Sequence, residues 1–227
     1  MENEFYGLNK EDRAIKYILE TINCTDGYMV EIGAEDGYRF SNIRYFLNKG
    51  WKGIQLNKWI GESPPPELKE EFITAENIND ILDKYEVPKE LAVLSLDIDG
   101  NDYWVFKNLN RKAMVVCVEY NSGFPFGVKK VLEYQPDLGR ETNRAYGTMA
   151  FSASFSAWID LLEEKGYKPI YESDFCNIIA VDKDIVQGKT FNEFNNIKWV
   201  DSVKDNLPHQ TLDPAPEAKW IDISCHK

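Results

Sequence analysis

The sequence predicts an α/β domain: a mostly parallel seven-stranded sheet with helices on both faces and an antiparallel last strand. Three observations carry this expectation. Short apolar runs alternate with segments of helical spacing, the pattern of βαβ units. Residues 91–97, Leu-Ala-Val-Leu-Ser-Leu-Asp, form an apolar run of the kind that parallel sheets bury on both faces. The pattern closes with two extended runs, 168–172 and 176–181, parted only by the turn-like Ser173-Asp174, which reads as a terminal antiparallel hairpin.

The elements follow in order. Residues 9–22 carry Ile15, Ile18, Leu19 and Ile22 at helical spacing and pack ahead of the first strand. That strand, 27–32, ends in the acidic Glu31, a turn from Gly33 to Gly37, and a helix over 41–47 stopped by Gly50. Residues 51–56 read as strand two. In the loop 58–66, Pro64, Pro65 and Pro66 exclude helix. Strand three is expected over 71–75 and a helix over 78–85. After the strand 91–97 come a short helix around 103–109 and an apolar strand over 114–119. Residues 121–151 then break the alternation. A connection of this length is unusual and commonly forms a lid; Phe124, Phe126, Tyr134, Tyr146 and Phe151 favour an ordered, ligand-facing segment. Residues 154–165 are an amphipathic helix with Gly166 as its stop. Residues 1–189 thus read as one domain, with 121–151 as its lid or substrate segment and 190–227 as a polar tail carrying Pro208, Pro214 and Pro216.

Composition narrows the function. The 227 residues are 43% hydrophobic, enough for a full core, and the net charge of −12 opposes attraction to nucleic acid or anionic membranes. No apolar run approaches the roughly 20 residues of a membrane helix, and Met1-Glu-Asn-Glu-Phe5 lacks the regions of a signal peptide. Cys24, Cys117, Cys176 and Cys225 show no CxxC spacing, which argues against zinc and a disulfide framework. A cytoplasmic protein with reduced thiols is expected. Nothing in the pattern fixes its oligomeric state, and a homo-oligomer is compatible with it.

The strand–turn–helix at Glu31-Ile-Gly-Ala-Glu-Asp-Gly37 lets backbone amides approach a ligand closely. Glu31 is placed to accept from a cationic or hydroxylated group, which suits an adenosine-containing cofactor that carries positive charge and no pyrophosphate. The spacing is GxxxG, so the GxGxxG signature of a nicotinamide dehydrogenase is absent. Together with Ser41-Asn-Ile-Arg-Tyr45, Leu94-Ser-Leu-Asp-Ile-Asp-Gly-Asn-Asp-Tyr-Trp104 and Val118-Glu-Tyr-Asn121, this motif resembles the FkbM-type class I methyltransferases. The resemblance spans residues 27–185 and implies the Rossmann-like class I methyltransferase fold. It also implies dependence on S-adenosylmethionine and O-methylation of a small hydroxylated or glycan acceptor. On that resemblance Glu31, Gly33, Ala34 and Gly37 cradle the methionine and ribose portions, Asn57 stands where an acidic residue usually holds the ribose, and Glu76 and Asn77 meet the adenine.

Asp97, Asp99 and Asp102 crowd the carboxyl end of the central strand, where open α/β sheets bind ligands. Like charges this close need compensation. Magnesium held by Asp97, Asp99 and Glu119, with Asn121 as a further oxygen ligand, is one solution. The other is that Asp97 contacts the cofactor while Asp99 and Asp102 cap the next helix. An EF-hand is excluded because position twelve of the run is Asn108. His209 and His226 both lie in the tail. The candidate catalytic groups are therefore Asp99, Asp102 and Glu119, with Tyr120, Phe124 and Phe126 as candidates for stacking on a sugar. A methyltransferase-like fold that has lost its chemistry and serves as a binding or assembly module is the competing expectation, prompted by Asn57 and by Glu35 in the glycine turn.

Overall fold

A computed structural model describes residues 5–138, 150–189, 198–199 and 218–224. Tyr146, Cys225, both histidines and the three tail prolines lie outside the described residues. The chain runs α1 (Glu11–Thr21), β1 (Tyr28–Ile32), α2 (Arg44–Asn48), β2 (Lys52–Asn57), β3 (Leu68–Glu70), α3 (Ile78–Lys84), β4 (Glu90–Leu96), α4 (Asp102–Asn108) and β5 (Lys112–Glu119). It continues through β6 (Lys130–Leu132), α5 (Phe155–Glu164), β7 (Tyr167–Ser173), β8 (Asn177–Asp182), α6 (Lys183–Val186), β9 (Lys198–Trp199) and β10 (Trp220–Asp222).

The main sheet has the order β3-β2-β1-β4-β5-β8-β7-β9. β1 to β5 pair in parallel, and β8 runs antiparallel to both β5 and β7. This is the expected doubly wound sheet, with the antiparallel strand inserted beside β5. A two-residue eighth strand, β9, lines the edge at β7. Strand three is the one displaced element: β3 covers residues 68–70, not 71–75, because Leu68, Lys69 and Glu70 are in register with Gln55, Leu56 and Asn57. Residues 71–75 leave the sheet after that short pairing.

Strand periodicity divides the core. Alternate residues of β5 and β8 face opposite sides: Val116, Val118, Ile178 and Ala180 pack with α3, α4 and α5, whereas Val115, Cys117, Ile179 and Val181 pack with α1, α2 and α6. Trp158 and Phe106 are among the largest fully buried side chains and lie 5.6 Å apart in the first layer. Truncating a ring of this kind typically costs about 3–5 kcal/mol. α5 is fixed at its start by Ser154, whose hydroxyl accepts from the Ala157 amide at 3.4 Å.

The long connection after β5 is less open than the sequence implies. β6 pairs antiparallel with β10, so a short segment of the tail returns to it. Phe124 meets Trp220 edge-on at 4.7 Å and Phe126 leans on Phe155. Phe124 is half-buried by this contact, and Phe126 stays exposed. Among the described residues no helix is long and apolar enough to cross a membrane, and Cys24, Cys117 and Cys176 are free thiols.

One backbone contact decides how β1 can end. Gly33 has φ +92°, and a Cβ built on it would lie 1.4 Å from the Asp97 carbonyl oxygen. Only glycine allows the chain leaving β1 to cross the end of β4 so closely. At Gly50, also at φ +92°, nothing lies within 4 Å. Gly33→Ala should therefore lose upwards of about 3 kcal/mol in urea unfolding, and Gly50→Ala only about 1 kcal/mol. Equal losses at the two sites would show that the crossing relaxes at little cost.

Candidate functional site

The sheet order reverses direction between β1 and β4, the switch point at which doubly wound sheets open a crevice. A cleft of about 720 Å³ lies there. Strand periodicity assembles its polar floor: Glu31, Ser95, Asp97 and Glu119 continue the strand face that carries Met29, Val93 and Cys117, the face of α1 and α2, with Gln55 buried behind Glu31.

Glu31 anchors one side. It is 4% exposed and accepts from the Ser41 hydroxyl at 2.6 Å, the Asn42 amide at 2.6 Å and Gln55 Nε2 at 2.7 Å. Burial pushes its carboxyl up, and Ser41, Gln55, Asn42 and the nearby Arg44 charge pull it back. Ser41 in turn accepts from the Arg44 amide at 2.9 Å and so orders the start of α2. The buried Arg44 guanidinium donates to the Gly37 carbonyl at 2.6 Å and to Gln55 Oε1. Thus Glu31 borders the cleft with three protein donors on its carboxylate, two on Oε2 and one on Oε1. Asn42 differs: it borders the cleft, is 7% exposed, donates to Ser95 at 3.0 Å, and its Oδ1 has no partner.

Opposite, Asp97, Asp99 and Glu119 bring one carboxylate oxygen each to within 4.8 Å of one another. Asp97 and Glu119 are hydrogen-bonded to each other. Both keep some surface toward the cleft yet are surrounded by protein. Burial first, then the neighbouring acids, drives both pKa values well above the carboxylate range. Glu119 Oε2 is buried without a partner. Farther along, Glu11 of α1 accepts from Ser173 at 2.7 Å and Asn177 at 3.0 Å, closing the wall at the β7–β8 turn. The backbone is strained around this opening: Glu35, Phe40 and Asp99, all on its wall, have φ of 46°, 61° and 56°.

Of the residues singled out from sequence, Glu31, Gly33, Ala34, Asn57, Asp97, Asp99 and Glu119 border the cleft. Gly37, Glu76, Asn77 and Asp102 do not. Gly37 is turned under Pro65, and its carbonyl receives Arg44. Glu76 accepts from the Tyr134 hydroxyl. Asn77 closes the turn before α3, accepting from the Thr74 amide at 2.8 Å and donating to the Phe72 carbonyl at 2.8 Å. Asp102 is buried and receives the Ile98 and Gly100 amides at 2.7 and 2.9 Å, which makes it a brace for the strained turn and not a catalytic group. Asn121 donates to the Phe151 carbonyl and accepts from Gly123, away from the carboxylates. Tyr120 is core, its hydroxyl on Glu172 at 2.8 Å. Phe124, Phe126, Tyr134 and Phe151 are not on the cleft wall. Sequence reasoning missed Asn42, Gln55, Trp59 and Phe72; Gln55 was legible as a polar residue inside a strand.

No protein-family model matches the sequence, and no curated protein matches it. Solved structures do match. The 1,6-didemethyltoxoflavin-N1-methyltransferase of Burkholderia thailandensis, with 1,6-didemethyltoxoflavin and S-adenosylhomocysteine bound, shares 10% identity over 78% of this chain and 80% of that one, at TM-score 0.43. Human N-acetylserotonin methyltransferase in complex with S-adenosylmethionine shares 10% identity over 76% of this chain and 51% of that one, at TM-score 0.41. Magnesium protoporphyrin IX methyltransferase of Synechocystis PCC 6803, with bound S-adenosylhomocysteine, shares 9% identity over 76% of this chain and 81% of that one, at TM-score 0.42. At such identities and TM-scores the likeness carries no argument about this chain. The strand order and directions are themselves those of the Rossmann-like class I methyltransferase fold.

The carboxylate cluster makes stability depend on pH. Burial pushes Asp102 up to about 6 against the pull of the Ile98 and Gly100 amides, and Asp97 and Glu119 are raised as well. A carboxyl whose pKa is higher folded than unfolded adds stability at low pH, and loses it as pH rises through the folded value. The acids with lowered values, Asp36, Glu71, Asp83 and Asp222, lose their contribution only at lower pH. In chelator, the melting temperature should therefore rise by about 2–4 °C between about pH 8 and pH 6. A flat or falling profile would show that the cluster is neutralised in some other way.

Proposed function

We propose that the chain is an S-adenosylmethionine-dependent methyltransferase that O-methylates a small hydroxylated or glycan acceptor. The observation that carries this reading is the open cleft at the switch point, with the Gly33–Asp36 turn and Glu31 network on one side and a cluster of carboxylates on the other. Its volume falls within the roughly 300–1,000 Å³ of small-molecule sites. The donor and acceptor set fits the proposed cofactor. Asp97 and the unpartnered Asn42 Oδ1 receive an ammonium, the turn after Gly33 passes backbone along the ligand, and Asn57 meets the ribose. When bound, the cofactor supplies an electrophilic methyl on a sulfonium.

The protein's part is mainly position. Methyl transfer needs in-line approach, and holding two reactants in that geometry can account for much of a rate. On this reading Asp99 and Glu119, both on the cleft wall, orient the acceptor hydroxyl, and the described wall offers no histidine to take its proton. Asp97, Asp99 and Glu119 also fit a hard divalent cation such as magnesium: three oxygen donors converge, and Glu119 Oε2 is buried without a partner. A cation there would polarise an acceptor hydroxyl. The reduced thiols agree with a cytoplasmic setting.

A second reading, a non-catalytic binding module, draws on two facts: Glu31 is satisfied internally, and Asn57 replaces a charged ribose acceptor. S-adenosylhomocysteine separates the two. At about a hundredfold excess over Kd it should add about 2.7 kcal/mol, a shift of about 5–10 °C in melting temperature. An unshifted melt at millimolar ligand would leave only the module. Magnesium titrated calorimetrically should bind the wild type and at least about tenfold more weakly to Glu119→Gln; indifference to that substitution would remove the metal from the mechanism.

A further inference from the structure

Residues 5–10 bridge α1 and α2, the helices that pack on one face of the sheet. At one end the Phe5 ring stacks on Tyr45 of α2 with centroids 4.5 Å apart, and the Tyr6 hydroxyl accepts from Asn48 Nδ2 at 2.9 Å. At the other end the Lys10 carbonyl starts α1, accepting from the Arg13 and Ala14 amides at 3.1 and 3.0 Å. Leu8, midway along this strap, is 57% exposed and borders the cleft. A segment seated on α2 that passes the cleft at Leu8 before entering α1 lies along the rim of the site.

Side chains hold the strap in place. Asp12 Oδ2 accepts from both the Tyr6 and Gly7 amides, at 2.6 and 3.1 Å, and Glu11 Oε2 accepts from the Asn9 amide at 2.8 Å. Gly7 passes so near that an added Cβ would stand 2.9 Å from Asp12 Oδ1 and 3.1 Å from Glu11 Oε2. The two ends differ in strength. Glu11 and Asp12 are buried in α1, and Glu11 is tied to the β7–β8 turn through Ser173 and Asn177. The α2 end rests on the half-buried Phe5 and Tyr6, by one stack, one hydrogen bond and the Arg13 guanidinium 4.9 Å from the Phe5 ring centre. Few contacts near the surface open more readily than a helix packed on the sheet. Lys10, left-handed at φ 71°, makes the turn between the loose part and the firm one. The geometry points to a gate: we propose that residues 5–9 lift from α2 about the turn at Lys10 to admit a ligand, and reseat with Leu8 beside it and Asp12 as the latch. Such a gate sets how fast a ligand enters and leaves, not how tightly it is held.

The inference rests on the nucleoside reading above, which supplies the probe, and the test tells the two apart. Binding of S-adenosylhomocysteine to wild type, Phe5→Ala, Tyr6→Phe and Leu8→Ala is followed by stopped-flow fluorescence for both rate constants and by calorimetry for Kd. Phe5, Tyr6, Tyr45 and Asn48 are not on the cleft wall, so the first two variants reach the ligand only through the strap. Phe5→Ala and Tyr6→Phe should speed association and dissociation together by roughly 3- to 10-fold, with Kd held within about twofold. Leu8→Ala, which thins the strap where it meets the cleft, should act in the same direction. Tyr6→Phe removes a single hydroxyl and Leu8 is exposed, so both variants keep the fold even where Phe5→Ala does not. Wild-type rates in all the folded variants overturn the gate and leave the nucleoside reading standing. Dissociation that speeds alone, with Kd weakened in proportion, makes the strap a fixed wall and also overturns the gate. Wild type that does not bind S-adenosylhomocysteine overturns both readings together.

Discussion

The cleft depends on one buried carboxylate. Removing the Glu31 charge from water costs several kcal/mol. Three donors and the nearby Arg44 charge offset this, each hydrogen bond to a charged acceptor contributing about 1.5–3 kcal/mol. The donors come from two places in the chain: Ser41 and Asn42 from the segment before α2, and Gln55 from β2. Arg44 then ties Gln55 to the Gly37 carbonyl. One charge therefore fixes the turn after β1, the start of α2 and the side of β2. The loop that must leave the sheet edge open has no freedom to collapse into it.

The opposite wall follows a contrary logic. Glu31 is compensated, while Asp97, Asp99 and Glu119 bring three carboxylates together on the opposite wall. The basic residues on the described wall, Arg39 and Lys58, rest instead on aromatic rings: Arg39 on Phe40, Lys58 on Trp59 and Phe72. The cleft is thus acidic where β4 and β5 end and aromatic where β2 and β3 end. A ligand carrying positive charge at one end and a flat ring at the other matches that division.

The sheet was legible because its signals are long. Residues 91–97 and 114–119 are apolar runs that only a two-sided layer can bury, and residues 154–165 carry helical spacing to a glycine stop. What escaped was short or non-local. β3 has three residues and its register comes from β2, so no pattern within 68–75 could locate it. β6 and β10 pair across almost ninety positions and are three residues each. For the site, strand ends identify position and leave direction open. Asp97, Asp99 and Glu119 converge as their strand ends imply. Asp102, three residues from Asp99, turns inward because two amides of a strained turn need an acceptor. Asn77 was misread for the same reason: its residue type suits a ligand contact and a turn equally, and the fold uses it for the turn.

The balance between enzyme and inert scaffold turns on what the cleft costs the protein. Non-glycine residues in left-handed backbone each carry on the order of 1–3 kcal/mol of strain, and three of them, Glu35, Phe40 and Asp99, stand on this wall. Beside them are crowded acids raised by burial and by one another, and a large ring in water. Each is easily relieved by a single substitution, such as glycine at 99, glutamine at 119 or a smaller polar residue at 59. A fold kept only as a scaffold gains stability from every such change and loses nothing. Charge and exposed aromatic surface gathered at one crevice are the expected condition of a site whose ligand supplies the missing compensation.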